Sequence, residues 1–141
     1  MICLTKSQAQ YLKAIYEVSL TGDIKVTKIA DHLNYSKPSV IRALKSLDEI
    51  SAIKYQKEKI TLTEKGRKYA LKIIKNDNIL LKFFVDVLEI EEELAEKDVE
   101  NIKHSITCYS LGKLENYLSN EFGVKFEDDT CKCTVGCFSC K

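Results

Sequence analysis

Four thiols stand close together near the end of the chain, Cys131, Cys133, Cys137 and Cys140, in the spacing C-x-C-x3-C-x2-C. Thiolate sulfur suits zinc, ferrous iron or an iron–sulfur cluster far better than magnesium or calcium, so the run points to a bound transition metal or, alternatively, to a cluster. Gly136 gives the backbone room to turn around one such centre. A reactive tail that forms disulfides on oxidation is the remaining alternative. A second set of donors lies upstream: Glu100 and His104, four residues apart, with Cys108 one turn further. On a helix Glu100 and His104 share a face, which suits joint coordination or a plain surface pair. Taken singly, Cys108 and Cys3 read as small buried hydrophobes.

A different chemistry sits in the first half. Ser36, Lys37, Pro38, Ser39, Ile41, Arg42 and Lys45 take the cap, the first turn and the outward positions of one predicted helix. Cations and hydroxyls meet phosphates, an arginine makes a bidentate contact to guanine, and an isoleucine packs on a thymine methyl. Lys57 and Lys59 flank Glu58 at the tip of a predicted hairpin, and Lys65, Arg67 and Lys68 add charge just beyond it. The net charge of +1 hides this asymmetry. Residues 1–75 carry 15 Lys and Arg against 7 Asp and Glu, whereas residues 76–141 carry 7 against 14. A basic half joined to an acidic half suits a polyanion-binding module attached to one that does something else. For any single lysine, a solvated surface is the competing explanation.

The elements that must position these groups follow from caps and periodicity. A first helix starts at Thr5, whose hydroxyl forms a capping box with Gln8, and carries Tyr11, Leu12, Ile15 and Tyr16 at helical spacing. After Thr21-Gly22 comes a short extended piece, Asp23–Val26, and Thr27 opens a second helix. Asn34-Tyr35 is the turn; Ser36 caps the third helix, with Pro38 in its first turn and Val40, Ala43, Leu44 and Leu47 as its buried stripe. Periodicity then falls toward two, with Ala52–Tyr55, a polar turn and Ile60–Leu62 making a hairpin. Thr63 caps a long helix that reads through Tyr69, Ile73, Ile74, Leu80, Phe83, Phe84, Val87 and Leu88. Further helices are expected over 98–109 and from Ser110, the latter carrying Leu111, Leu114 and Leu118. Helix, strand, helix, turn, helix and hairpin in that order make a winged helix-turn-helix within a mainly α protein. It presents the Ser36 helix to the major groove of double-stranded DNA and the hairpin to the backbone.

With 141 residues and 45% hydrophobic content the chain fits one compact domain or two very small ones. It shows neither a secretory leader nor an apolar run near the ~20 residues that span a bilayer, so a cytoplasmic protein with no membrane partner is expected. Cysteines there stay mostly reduced. No nucleophilic triad, phosphate-cradling glycine loop or acid/base carboxylate pair stands out, so an enzyme is not expected. His32 and His104 are the only histidines, and His32 reads as a surface or packing residue.

Several stretches, in this order, resemble a known family: 10–16 (Gln10-Tyr11-Leu12-Lys13-Ala14-Ile15-Tyr16), 26–33 (Val26-Thr27-Lys28-Ile29-Ala30-Asp31-His32-Leu33), 36–40 (Ser36-Lys37-Pro38-Ser39-Val40), 60–66 and 98–104. They are similar to the metal-dependent repressors typified by the diphtheria toxin repressor and the manganese transport regulator, and the chain's length is similar to that of the two-domain manganese type. The resemblance implies a homodimer that binds a palindromic operator when a divalent metal, iron, manganese or zinc, is present. The expected division is a DNA-binding domain over 1–72, an all-helical dimerisation and metal-sensing domain over 73–126, and, from the residues themselves, a cysteine-rich tail over 127–141. At the family's ligand positions this chain has Gln10 and Lys13, then Asn78 or nearby Asp77, then Glu100, Lys103 and His104. Lys103 stands where a carboxylate is expected, and an ammonium repels a metal ion. Sensing is therefore expected at the tail thiolates, with Glu100, His104 or Cys108 assisting. A thiol-redox or metal-storage protein, and a DNA-binding regulator of the same fold that needs no metal, are the two alternatives.

Overall fold

The computed structural model describes residues 4–126. Cys131, Cys133, Cys137 and Cys140, like Cys3 and the whole of 127–141, lie outside the described residues.

Local hydrogen bonding sets the first three helices. Helix α1 (Lys6–Ser19) starts at the expected box: the Thr5 hydroxyl accepts from the Gln8 amide at 3.1 Å, and the Gln8 side chain accepts from the Thr5 amide at 2.9 Å. Before α2 (Val26–Leu33) the expected strand is absent and Thr27 is not the cap. Lys25 is the N-cap; its carbonyl accepts from Ile29 N at 3.1 Å. The Lys25 backbone is extended, as a residue entering a helix must be, but it pairs with no neighbouring strand. Asn34, in the left-handed region at φ 56, closes α2. Ser36 then caps α3 (Lys37–Glu49), accepting from Ser39 N, with Pro38 in the first turn.

Strands β1 (Ile53–Gln56) and β2 (Lys59–Leu62) pair antiparallel, Ile53 opposite Leu62 and Gln56 opposite Lys59. Their two-residue turn, Lys57-Glu58, puts both residues at positive φ, 48 and 63, the mirror-image turn whose twist matches that of the strands. Helix α4 (Glu64–Lys82) follows at once. Its expected continuation through Leu88 is corrected: Phe83–Val87 form a π-helical turn, in which Leu88 N donates to Phe83 O at 3.2 Å, and Leu88 itself is exposed. The helix expected over 98–109 is two elements, α5 (Glu92–Ile102) and the start of α6 (Cys108–Phe122). Glu92 and Glu93 open α5, where carboxylates meet the positive end of the helix dipole. Thr107, not Ser110, caps α6: its hydroxyl accepts from Ser110 N at 3.2 Å.

The chain divides into two compact units between Leu71 and Lys72, within α4. In the first, α1, α2 and α3 pack on one another and α3 packs on β1. Leu12, Ile15, Ile29, Val40, Leu44, Leu47 and Ile53 are fully buried there, each contributing about 1.5–3 kcal/mol; Ala43 is only half-buried. The second unit centres on Ile79, Leu80, Val99, Leu111 and Leu118, against which Phe83, Phe84, Val87, Ile102 and Leu114 pack. Within it, Lys75 of α4 meets Glu115 of α6 at 2.9 Å. Among the described residues no helix is long and apolar enough to cross a membrane.

The base of the hairpin is fastened to the start of α4. The Thr63 hydroxyl lies 2.7 and 2.8 Å from the carbonyl oxygens of Ser51 and Ala52 and accepts from Gly66 N at 3.0 Å, while Lys65 Nζ donates to Ile50 O at 2.9 Å. Gly66 passes so close that a Cβ there would stand 1.9 Å from Ala52 O. The opposing atom is backbone and cannot swing aside. Gly66→Ala is therefore expected to destabilise the first unit by at least about 1–3 kcal/mol, seen as an earlier urea midpoint; an unchanged midpoint would contradict this packing.

Candidate nucleic-acid interface and metal position

Helix α3 shows solvent the face that a polyanion needs. Lys37, Pro38, Arg42 and Lys45 are exposed while Val40, Leu44 and Leu47 are buried beneath them. Ile41, expected to be fully outward, is half-buried, as is Ser39: both lie at the edge of the buried stripe. Ser39 Oγ sits 2.9 Å from Ser36 Oγ and accepts from Arg42 Nη2 at 3.4 Å, so the cap and the guanidinium share one local network.

Four contacts hold this helix and the turn before it in place. Gln8 Nε2 of α1 donates to Ser46 Oγ at 2.8 Å, and Asp48 Oδ1 accepts from Tyr55 N of β1 at 3.2 Å. The turn before α3 is pinned through Tyr35, whose ring lies 5.8 Å from that of Tyr11 and whose hydroxyl accepts from Gln10 Nε2 at 3.1 Å. Burial, and then the neighbouring Tyr35, push the Tyr11 pKa above its ordinary value, with Arg42 opposing. In the wing, Lys57 and Lys59 are exposed on either side of Glu58. His32 meets Glu17 at 2.6 Å on the surface of the same unit, which agrees with a surface role.

The upstream donors are arranged differently from the expected set. Helix α5 ends at Ile102, so Glu100 lies on it while His104 falls in the turn beyond and Cys108 begins α6; the three do not continue one helix. Lys103 Nζ lies 2.8 Å from Glu100 Oε1 and 3.4 Å from Asp77 Oδ2 of α4. The side chains of Lys103 and Asp77 are only 10% and 14% exposed, against 63% for Glu100. A divalent ion needs converging lone pairs; here a fixed positive charge already takes those of two carboxylates. Among the described residues no three His, Cys, Asp or Glu side chains come together as a metal-holding group. Gln10, in the first unit, donates through Nε2 to the Tyr35 hydroxyl. These residues do not fit the divalent metal of the resembled family.

Two family models match the chain in succession. Residues 3–60 match the iron dependent repressor N-terminal DNA-binding domain, and residues 63–122 its metal-binding and dimerisation domain. The chain belongs to the iron-dependent repressor family. It is thus a DNA-binding, dimer-forming transcriptional regulator of the metal-responsive kind rather than an enzyme. It is similar to the regulator MntR of Oceanobacillus iheyensis, with 29% identity over 83% of this chain and 82% of that protein. Solved structures share the fold, two of them as follows. A hypothetical protein of Sulfolobus solfataricus superposes with a TM-score of 0.68 at 23% identity, over 83% of this chain and 91% of the other. ScaR with bound zinc gives 0.72 at 24%, over 79% of this chain and 53% of that one. Within the family, members bind divalent transition metals; in this chain Lys103 pairs with two carboxylates inside the stretch that the metal-binding model matches.

Reading along the sequence misses the Lys103–Asp77 pair and the packing of Tyr35 on Tyr11 and Gln10, because each joins residues far apart in the chain. The cap of α3 is local, and its loss has a local effect. Ser36→Ala is expected to cost about 0.5–1 kcal/mol and Ser36→Gly only a few tenths, measured by urea unfolding; equal losses would show that the cap hydrogen bond contributes nothing.

Proposed function

We propose that this member of the family is a cytosolic homodimeric repressor that seats α3 in the major groove of a palindromic double-stranded operator. The metal response in this reading belongs to the tail thiolates Cys131, Cys133, Cys137 and Cys140. They take iron or zinc, or alternatively an iron–sulfur cluster, rather than the manganese that the family resemblance also allows. Residues 1–72 bind DNA, residues 73–126 dimerise, and residues 127–141 sense. Ser36, Lys37, Pro38, Ser39, Ile41, Arg42 and Lys45 make the groove contacts, and Lys57 and Lys59 lie along the backbone.

The DNA half rests above all on one observation, the exposure of Lys37, Arg42 and Lys45 on a capped helix anchored from below by buried Val40, Leu44 and Leu47. A second copy meets the helical unit, whose described surface exposes Leu94, Tyr109, Tyr117 and Phe122, apolar groups of the kind that a dimer interface covers. Donor chemistry supports the sensing half for zinc, ferrous iron or a cluster, which soft thiolates suit, whereas Glu100, His104 and Cys108 are parted by the end of α5. The Lys103 ion pairs also favour a second reading, a regulator that needs no metal.

Charge reversal at Arg42 and Lys45 is expected to abolish operator retention in a gel, and Lys57→Ala to weaken binding evenly across sequences while lowering the salt slope by about 1. Retention as tight as the parent's after the double reversal would refute the assignment of α3. Replacing the four tail cysteines with serine is expected to remove any difference in operator affinity between metal-free and metal-loaded protein. A metal response that survives places sensing elsewhere, and an unmodified chain that binds alike under every metal condition supports the metal-independent reading.

A further inference from the structure

The helical unit carries a cation of its own. Lys103 follows directly on α5, yet its ammonium reaches a carboxylate on each of two helices, Asp77 of α4 at 3.4 Å and Glu100 of α5 at 2.8 Å. Asp77 and Lys103 are 26 residues apart in sequence and both nearly buried, so the contact ties α4 to the end of α5 where water screens it little. Such a bridge between carboxylates is also what a metal ion achieves when it joins two elements. In this chain it lies inside the stretch matched by a metal-binding domain, and no group of three ligands replaces it among the described residues.

We propose that the Lys103 ammonium is a resident substitute for a metal ion, joining Asp77 and Glu100 so that α4 and α5 keep one arrangement whether or not metal is present. Two consequences are separable. The bridge supports the unit, because removing the ammonium leaves the Asp77 carboxylate nearly buried without this partner. It also closes the position to divalent ions, because an entering ion would have to displace a tethered positive charge. The inference is independent of the proposed role of the tail, since both consequences can be read in a protein that lacks the tail thiols.

The test uses the full chain with Cys131, Cys133, Cys137 and Cys140 replaced by serine, and manganese chloride as the probe. In this background, manganese up to millimolar concentration is expected to leave the Tm unchanged and to give no binding heat. Lys103→Gln should lower the Tm by several degrees. Asp77→Asn added to it should cost much less than Asp77→Asn does alone, the non-additivity that marks a direct pair. Lys103→Arg, which keeps the charge, should melt near the parent and stay insensitive to manganese; it carries the test if the glutamine variant does not fold. Manganese stabilisation of the Lys103 protein that is lost on Asp77→Asn would overturn the proposal. So would additive losses in the cycle, or an arginine variant that gains manganese binding.

Discussion

Opposite charges held largely out of water fasten the second unit. Helix α4 sends Lys75 to Glu115 of α6 and Asp77 to Lys103, so two ion pairs of reversed polarity leave one helix for its two neighbours. Breaking such a pair from one side is far costlier than never having built it, because the remaining charge has already given up its hydration. The apolar core around Ile79, Leu80, Val99, Leu111 and Leu118 supplies the bulk of the cohesion. The ion pairs add direction, since they are satisfied only when α5 and α6 approach α4 in the correct register.

The first unit uses a different economy of parts. Its helices are placed by short hydroxyl and amide contacts, Thr5 with Gln8, Gln8 with Ser46, Ser36 with Ser39 and Thr63 with the carbonyls of Ser51 and Ala52. None of these needs a charge, which leaves the lysines and the arginine of α3 and the wing facing outward. Gln8 serves twice, closing the cap of α1 through its oxygen and reaching α3 through its nitrogen.

What was legible in the sequence was local. Thr5-x-x-Gln8 and Ser36 announce helix starts because the partners lie three residues away, and the change of period after Ser51 announces the hairpin. The end of α4 was not legible, because positions 80, 83, 84 and 87 fall on one side of an α-helix and the π-helical turn keeps Leu80, Phe83, Phe84 and Val87 at the core as well. The start of α5 does carry a local signal, the acidic run Glu91–Glu93 at a helix N-terminus. Lys103 could be recognised as foreign to a metal site by its type alone. Its partner could not, because only tertiary packing brings Asp77 to it.

The hairpin tip carries one more consequence. Lys57 and Glu58 both adopt a left-handed backbone that asparagine and glycine enter with far less steric resistance. Selection for heat resistance alone would therefore favour an uncharged Asn-Gly pair at that point, and its two steps act oppositely on a phosphate backbone: Lys57→Asn removes a cation, whereas Glu58→Gly removes an anion. If the wing lies along DNA as proposed, durability and grip therefore pull against each other at Lys57 alone, whereas at Glu58 they point the same way.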